Sequence, residues 1–171
     1  MNYSKRQEYL PDGTLTLASF RRRLLALIID LSLIAVIILL LTVIVSKLLG
    51  LETAQFIWND LEEYELEAEG INRSLMHAIN LCMGFLPLVY FFISVFISNG
   101  RTIGKKITAI KIVGIYHHKL NLWHCLERSL GYVASAAEMG LGFFQVLWNP
   151  NRMALHDKIA ETIVIKCSRK K

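Results

Sequence analysis

Little in this sequence points to catalysis or to a metal. Its three cysteines, Cys82, Cys125 and Cys167, lie far apart with no C-x-x-C, which argues against a disulfide framework or a zinc knuckle. There is no H-E-x-x-H, and no Ser, His and Asp set stands in a recognisable context. His117, His118, His124 and Cys125 lack a fixed metal spacing. The stretch GRTIGKK has three residues between its glycines, where a phosphate loop has four, and no Ser or Thr after the Lys, so no nucleotide site is expected. We therefore expect no enzyme, no cofactor and no bound metal.

Charge is also missing where it matters. From Leu24 to Ser46 the chain runs about 23 residues with a single charged group, long enough at about 1.5 Å per residue to cross a hydrocarbon core of about 30 Å. With 54% apolar residues in 171, the chain is too greasy for an ordinary soluble fold and reads as one integral membrane domain. The run is too long for a signal-peptide core, so the first span is expected to insert and stay. The net charge of +5 would suggest nucleic acid in a soluble protein; here it is distributed by loop, as membrane insertion demands, and no nucleic-acid partner is expected.

Residues 1–20 form a lead-in carrying Lys5 and Arg6, followed by Arg21, Arg22 and Arg23, and this basic flank places the N-terminus in the cytoplasm. Residues 21–171 form the membrane domain, with spans at about 24–48 and 74–98. Between them, segment 51–73 holds seven acidic residues and one basic residue, Arg73, and belongs outside. Pro87 falls in the middle of the second span and predicts a kink. The loop 99–121 has five basic residues and no acid, so it is cytoplasmic, with a strand expected over Ile107 to Ile115 and a turn over Tyr116 to Lys119.

Segment 122–148 admits two readings. A third full span would carry the C-terminus outside, yet residues 149–171 hold six basic groups against Asp157 and Glu161. A re-entrant hairpin satisfies the charge pattern: a helix from about Leu122 to Ala137, a break near Gly140 and Gly142, and a shorter limb returning to Asn149 and Pro150. The cytoplasmic tail then holds a helical turn around Leu155 to Ala160 and a strand-like Glu161 to Lys166, which pairs with the earlier strand in a short ribbon. The expected fold class is thus an all-α membrane protein with two full transmembrane helices, a third re-entrant or spanning segment and a short cytoplasmic β-ribbon.

Four motifs occur in order: RLLALIID from Arg23 to Asp30, GRTIGKK with Ile107 to Val113, Glu127-Arg128-Ser129, and LHDKIAETIV from Leu155 to Val164. Together they resemble the RDD family, small and mostly bacterial membrane domains named for one Arg and two Asp. The resemblance implies that the naming residues are Arg23, Asp30 and Asp157, in a multi-pass protein of the plasma (bacterial inner) membrane. This sequence departs from the family at Glu161, where Gly is usual, and at the turn GIYHHKLN. The resemblance does not settle the biochemistry: sodium or proton exchange and assembly with larger membrane machinery are both implied for relatives.

Asp30 lies about 10 Å beyond Arg23 along the first span, and Arg128, six residues into a rising helix, reaches a similar depth of about 9 Å. Since an unpaired carboxylate in lipid costs at least about 2.5 kcal/mol, an Asp30 to Arg128 ion pair is expected, with Tyr90 or Ser94 as hydrogen-bonding neighbours. From the family match and the charge signs, a second cluster brings Arg23 to Asp157, with His156 beside them. Two functions compete. In the favoured one the pairing is structural and the protein is an assembly partner in a membrane complex; in the other, Asp30 is the ion-binding carboxylate of a small cation or proton transporter. Expected partners are the bilayer, anionic lipid headgroups attracted by the basic ends, and further copies of the chain or a larger membrane complex.

Overall fold

The computed structural model describes residues 16–48, 73–115 and 120–167. Most of the lead-in, the acidic loop at 51–72, the turn Tyr116 to Lys119 and the last basic residues lie outside the described residues.

Two helices dominate. Helix α1 (Phe20–Leu48) has 29 residues and α2 (Arg73–Ile97) has 25, and α2 runs through Pro87 without interruption. Both are long and apolar enough to cross a membrane, and only 17% and 11% of their most apolar windows are buried. Leu25, Ile28, Leu39 and Leu40 are each at least half exposed. A helix in the core of a soluble protein shows the opposite, so this apolar surface fits a lipid environment. The molecule is a membrane protein.

After α2 come a five-residue helix α3 (Ile103–Ile107), strand β1 (Ile110–Gly114), the 16-residue α4 (Leu122–Ala137), the single turn α5 (Leu141–Phe144), α6 (Leu155–Ile159) and strand β2 (Thr162–Lys166). The strand expected from Ile107 therefore begins later, at Ile110, because Thr102 starts a helix first: its hydroxyl accepts from the Lys105 amide. Ala109, at φ 54°, turns the chain from that helix into the strand. Segment 122–148 breaks after Ala137, and Met139 and Gly140 take positive φ values of 54° and 83°.

The chain forms two compact units, residues 1–30 with 88–171, and residues 31–87. In the smaller one, Thr42 of α1 donates its hydroxyl to the Ile38 carbonyl (2.9 Å) and lies 3.9 Å from the Met83 sulfur of α2. In the larger one, β1 and β2 pair antiparallel in the register Ile110↔Lys166, Ile112↔Val164 and Gly114↔Thr162. Residues 16–18 run beside β2: Lys166 donates its amide to the Thr16 carbonyl (2.7 Å), and Ala18 donates to Val164 (2.9 Å).

A two-stranded ribbon is marginal by itself, and this one is buried on both faces. Ile110, Ile112 and Val164 pack with Ala26, Val95 and Cys125 of the helices, whereas Val113, Ile163 and Ile165 pack with Met153. Two glycines set the helix spacing. A Cβ on Gly131 of α4 would stand 2.9 Å from the Cα of His156, and one on Gly142 would stand 2.7 Å from the Cα of Ser135. So α6 and the α5 turn both lie directly against α4.

Candidate functional site

The larger unit buries two carboxylates, Asp30 and Asp157, each 0% exposed. A carboxylate out of water is costly unless charge and hydrogen bonds replace its hydration, so its partners define what it can do.

Asp157 is the third residue of α6. Its Oδ2 accepts from the backbone amide of Ala154 at the start of that helix (3.0 Å); with alanine there, only this half of a capping box can form. Arg23 of α1 donates Nη1 to the same oxygen at 2.5 Å across 134 residues of sequence. Arg128 of α4 places Nη2 2.5 Å from Oδ1, in ionic contact without the alignment of a hydrogen bond. Arg128 also donates Nη1 to the Thr162 hydroxyl of β2, and Arg23 donates Nη2 to the Val164 carbonyl (3.4 Å). Burial alone would push the Asp157 carboxyl up, but the positive charges around it, Arg128 foremost, outweigh burial and hold it well below the usual carboxylate range. It is a permanent anion between two guanidinium groups.

His156 adjoins this group but is not part of the ion pairing. Its Nε2 is 3.6 Å from Asp157 Oδ1, and its ring is enclosed by Tyr132 (centroids 4.4 Å apart) and Phe143 (5.3 Å), with Nδ1 3.2 Å from the Ser135 hydroxyl. Burial, only partly offset by Asp157, lowers its pKa to about 3, so the ring is neutral near pH 7.

Asp30 has a different set of partners. Tyr90 of α2 donates its hydroxyl to Oδ1 (2.8 Å), Thr102 donates to Oδ2 (2.5 Å), and the Gly104 amide donates to Oδ1 (2.8 Å). Gly104 is required for this approach, because a Cβ there would stand 2.2 Å from the Ala26 carbonyl of α1. The expected Asp30 to Arg128 pair does not form: Arg128 goes to Asp157, and no cation is in ionic contact with Asp30 among the described residues. The cause is α6, whose close packing at Gly131 brings Asp157 within reach of Arg128. The Thr102 to Gly104 turn meanwhile supplies Asp30 with neutral donors.

Lys105 joins the two groups. Lys105 is 7% exposed; its backbone amide donates to Thr102, a partner of Asp30, while its ammonium lies 3.3 Å from the Tyr132 hydroxyl and over the Phe91 and Tyr132 rings at 5.8 and 5.7 Å. Tyr132 in turn packs at a tilt against His156, and its ring centroid lies 5.8 Å from the Arg128 guanidinium carbon. Sequence reasoning passed over Lys105, Thr102, Gly104, Tyr132 and Thr162. The signal available for some of them was a Thr two residues before a Gly in GRTIGKK, which is a helix start facing a close neighbour.

Over 108 residues the chain is 30% identical to an uncharacterized protein, RP437, of Rickettsia prowazekii (strain Madrid E), covering 61% of this chain and 60% of that one. No solved structure matches. The RDD family model matches residues 17–161, a stretch that contains Arg23, Asp30, Arg128 and Asp157. A match over most of the sequence shows that the chain belongs to the RDD family.

Proposed function

We propose that this protein is a non-catalytic module of a membrane complex, whose buried Arg and Asp network holds together the elements of its larger unit for assembly. The observation that carries this reading is Asp157, held between Arg23 and Arg128 with no exposed surface. A carboxylate so held cannot take up a cation or a proton in a transport cycle without leaving guanidinium groups short of a partner, at a cost of about 3–5 kcal/mol. On this reading the N-terminus and the ribbon lie in the cytoplasm, segment 122–148 re-enters rather than spans, and the exposed faces of α1 and α2 meet lipid, further copies or larger partners in the plasma membrane.

One observation favours a second reading, a cation or proton carrier centred on Asp30. That carboxylate is buried with neutral donors alone in direct contact among the described residues, the kind of site a small cation or a proton could occupy. Two spans are few for alternating access, so a carrier would require association of several copies.

Flux in proteoliposomes separates the two. With imposed sodium and pH gradients, wild type and Asp30→Asn should both remain at the baseline of empty vesicles. Flux in the wild type that vanishes in Asp30→Asn would overturn the assembly reading and establish the carrier.

A further inference from the structure

Within the larger unit lies a cavity of about 60 Å³ whose wall includes Arg23, Lys105, Arg128, Tyr132 and His156, with aliphatic and aromatic side chains such as Leu27 completing it. Three cationic side chains line it, and the one carboxylate in ionic contact with them among the described residues, Asp157, is already shared by two of the three. Lys105 has the Tyr132 hydroxyl and two ring faces, with no carboxylate in ionic contact among the described residues. Among the described residues, Arg128, 1% exposed, has its Nε without an acceptor, and so has Arg23. His156 is neutral and adds no positive charge near pH 7.

Buried donors of one sign, left over after the native carboxylate is saturated, require either water or an anion to complete them. The space equals that of about two water molecules, which a compact anion also fills.

We propose that this cavity binds one small oxyanion group, of phosphate or carboxylate class, held by the Lys105 ammonium and the free Nε–H groups of Arg128 and Arg23. The group is either a free ion or the acidic head of a lipid, and the apolar remainder of the wall, with Leu24 and Leu27 of α1, suits a ligand that carries an acyl chain. The site is independent of whether Asp30 carries ions.

The test uses the full chain in a neutral detergent and in nanodiscs. In detergent, inorganic phosphate is titrated against gluconate, whose polyhydroxylated chain the apolar wall does not accept, at matched ionic strength, and the thermal midpoint is followed. In nanodiscs, phosphatidic acid is added to phosphatidylcholine and its retention on the purified protein is measured. A saturable rise with phosphate assigns a free ion, and selective retention of phosphatidic acid assigns a lipid head; either supports the site. Lys105→Gln should raise the half-saturation concentration at least about tenfold, in line with loss of one charge-assisted contact of about 1.5–3 kcal/mol. Leu27→Phe, which fills the cavity without touching a charge, should abolish the response. Phosphate acting no differently from gluconate, together with no preference for phosphatidic acid, would overturn the proposal. So would binding that is unchanged in whichever of the two variants accumulates.

Discussion

Stability should fall on mild acidification, and His156 should be the group responsible. Its ring is shut between Tyr132 and Phe143, and its backbone packs directly against α4 at Gly131. Arg128, Lys105 and Arg23 disfavour a further positive charge there, and Asp157 offsets this only in part. Its folded pKa of about 3 lies below the ordinary 6.5, so as the pH falls the unfolded chain takes up the proton first. The stability is therefore complete above about pH 6.5 and is lost progressively as the pH falls toward about 3. Between about pH 7 and about pH 4.5 the loss should be about 2–3 kcal/mol, a large share of a typical margin of about 5–15. Denaturant unfolding in detergent, followed by the fluorescence of the three tryptophans, measures it. His156→Phe keeps a ring between Tyr132 and Phe143, and its stability should change by at least about 2 kcal/mol less across the same window. Equal pH slopes in the two proteins would refute a neutral, desolvated histidine here. Asp157 acts in a separate window: its folded pKa lies below the ordinary 3.8, so its contribution is present above that pH and lost only below it.

Other substitutions probe other contacts. Gly104→Ala forces a Cβ against the Ala26 carbonyl, which is helix backbone and cannot rotate away, so it should cost about 3 kcal/mol or more and reduce the amount of protein accumulating in membranes. Thr102→Val removes both a donor to Asp30 and the cap of α3, and should lower unfolding free energy by about 2–3 kcal/mol. Glu161→Gly should raise the thermal midpoint by a stabilisation of about 1 kcal/mol, because Glu161 is exposed and sits at φ 45°, where a side chain is strained.

The departure at Glu161 illustrates what the sequence conveyed and what it hid. The family's usual Gly there has a backbone reason that no composition or periodicity reveals, since a left-handed residue between α6 and β2 is a property of the turn. The long helices and the ribbon were legible because each has a strong one-dimensional signature: runs long enough to span lipid, and β-branched stretches of matching length. The short α3 had no such signature, as five residues make too few turns to show a period, and its donors to Asp30 stayed hidden with it. Depth counting along separate helices matched Arg128 to the wrong carboxylate because it placed charges by height alone. It could not include α6, which approaches α4 closely only because residue 131 is Gly. Lys105 counted as one more cytoplasmic cation, and nothing in the sequence indicated that Phe91 and Tyr132 would cover it.

The energetic coupling of Arg128 to Asp157 tests the central claim most directly. Unfolding free energies of wild type, Arg128→Met, Asp157→Asn and the double variant form a cycle that isolates this one contact. Each single change should cost about 3–5 kcal/mol, because it leaves a buried charge of the opposite sign short of a partner. The double change should cost at least about 2 kcal/mol less than the sum of the two, with Arg23 left to face an uncharged Asn. Costs that simply add, or an Asp157→Asn variant within about 1 kcal/mol of wild type, would contradict a fold held together by this carboxylate and its two arginines.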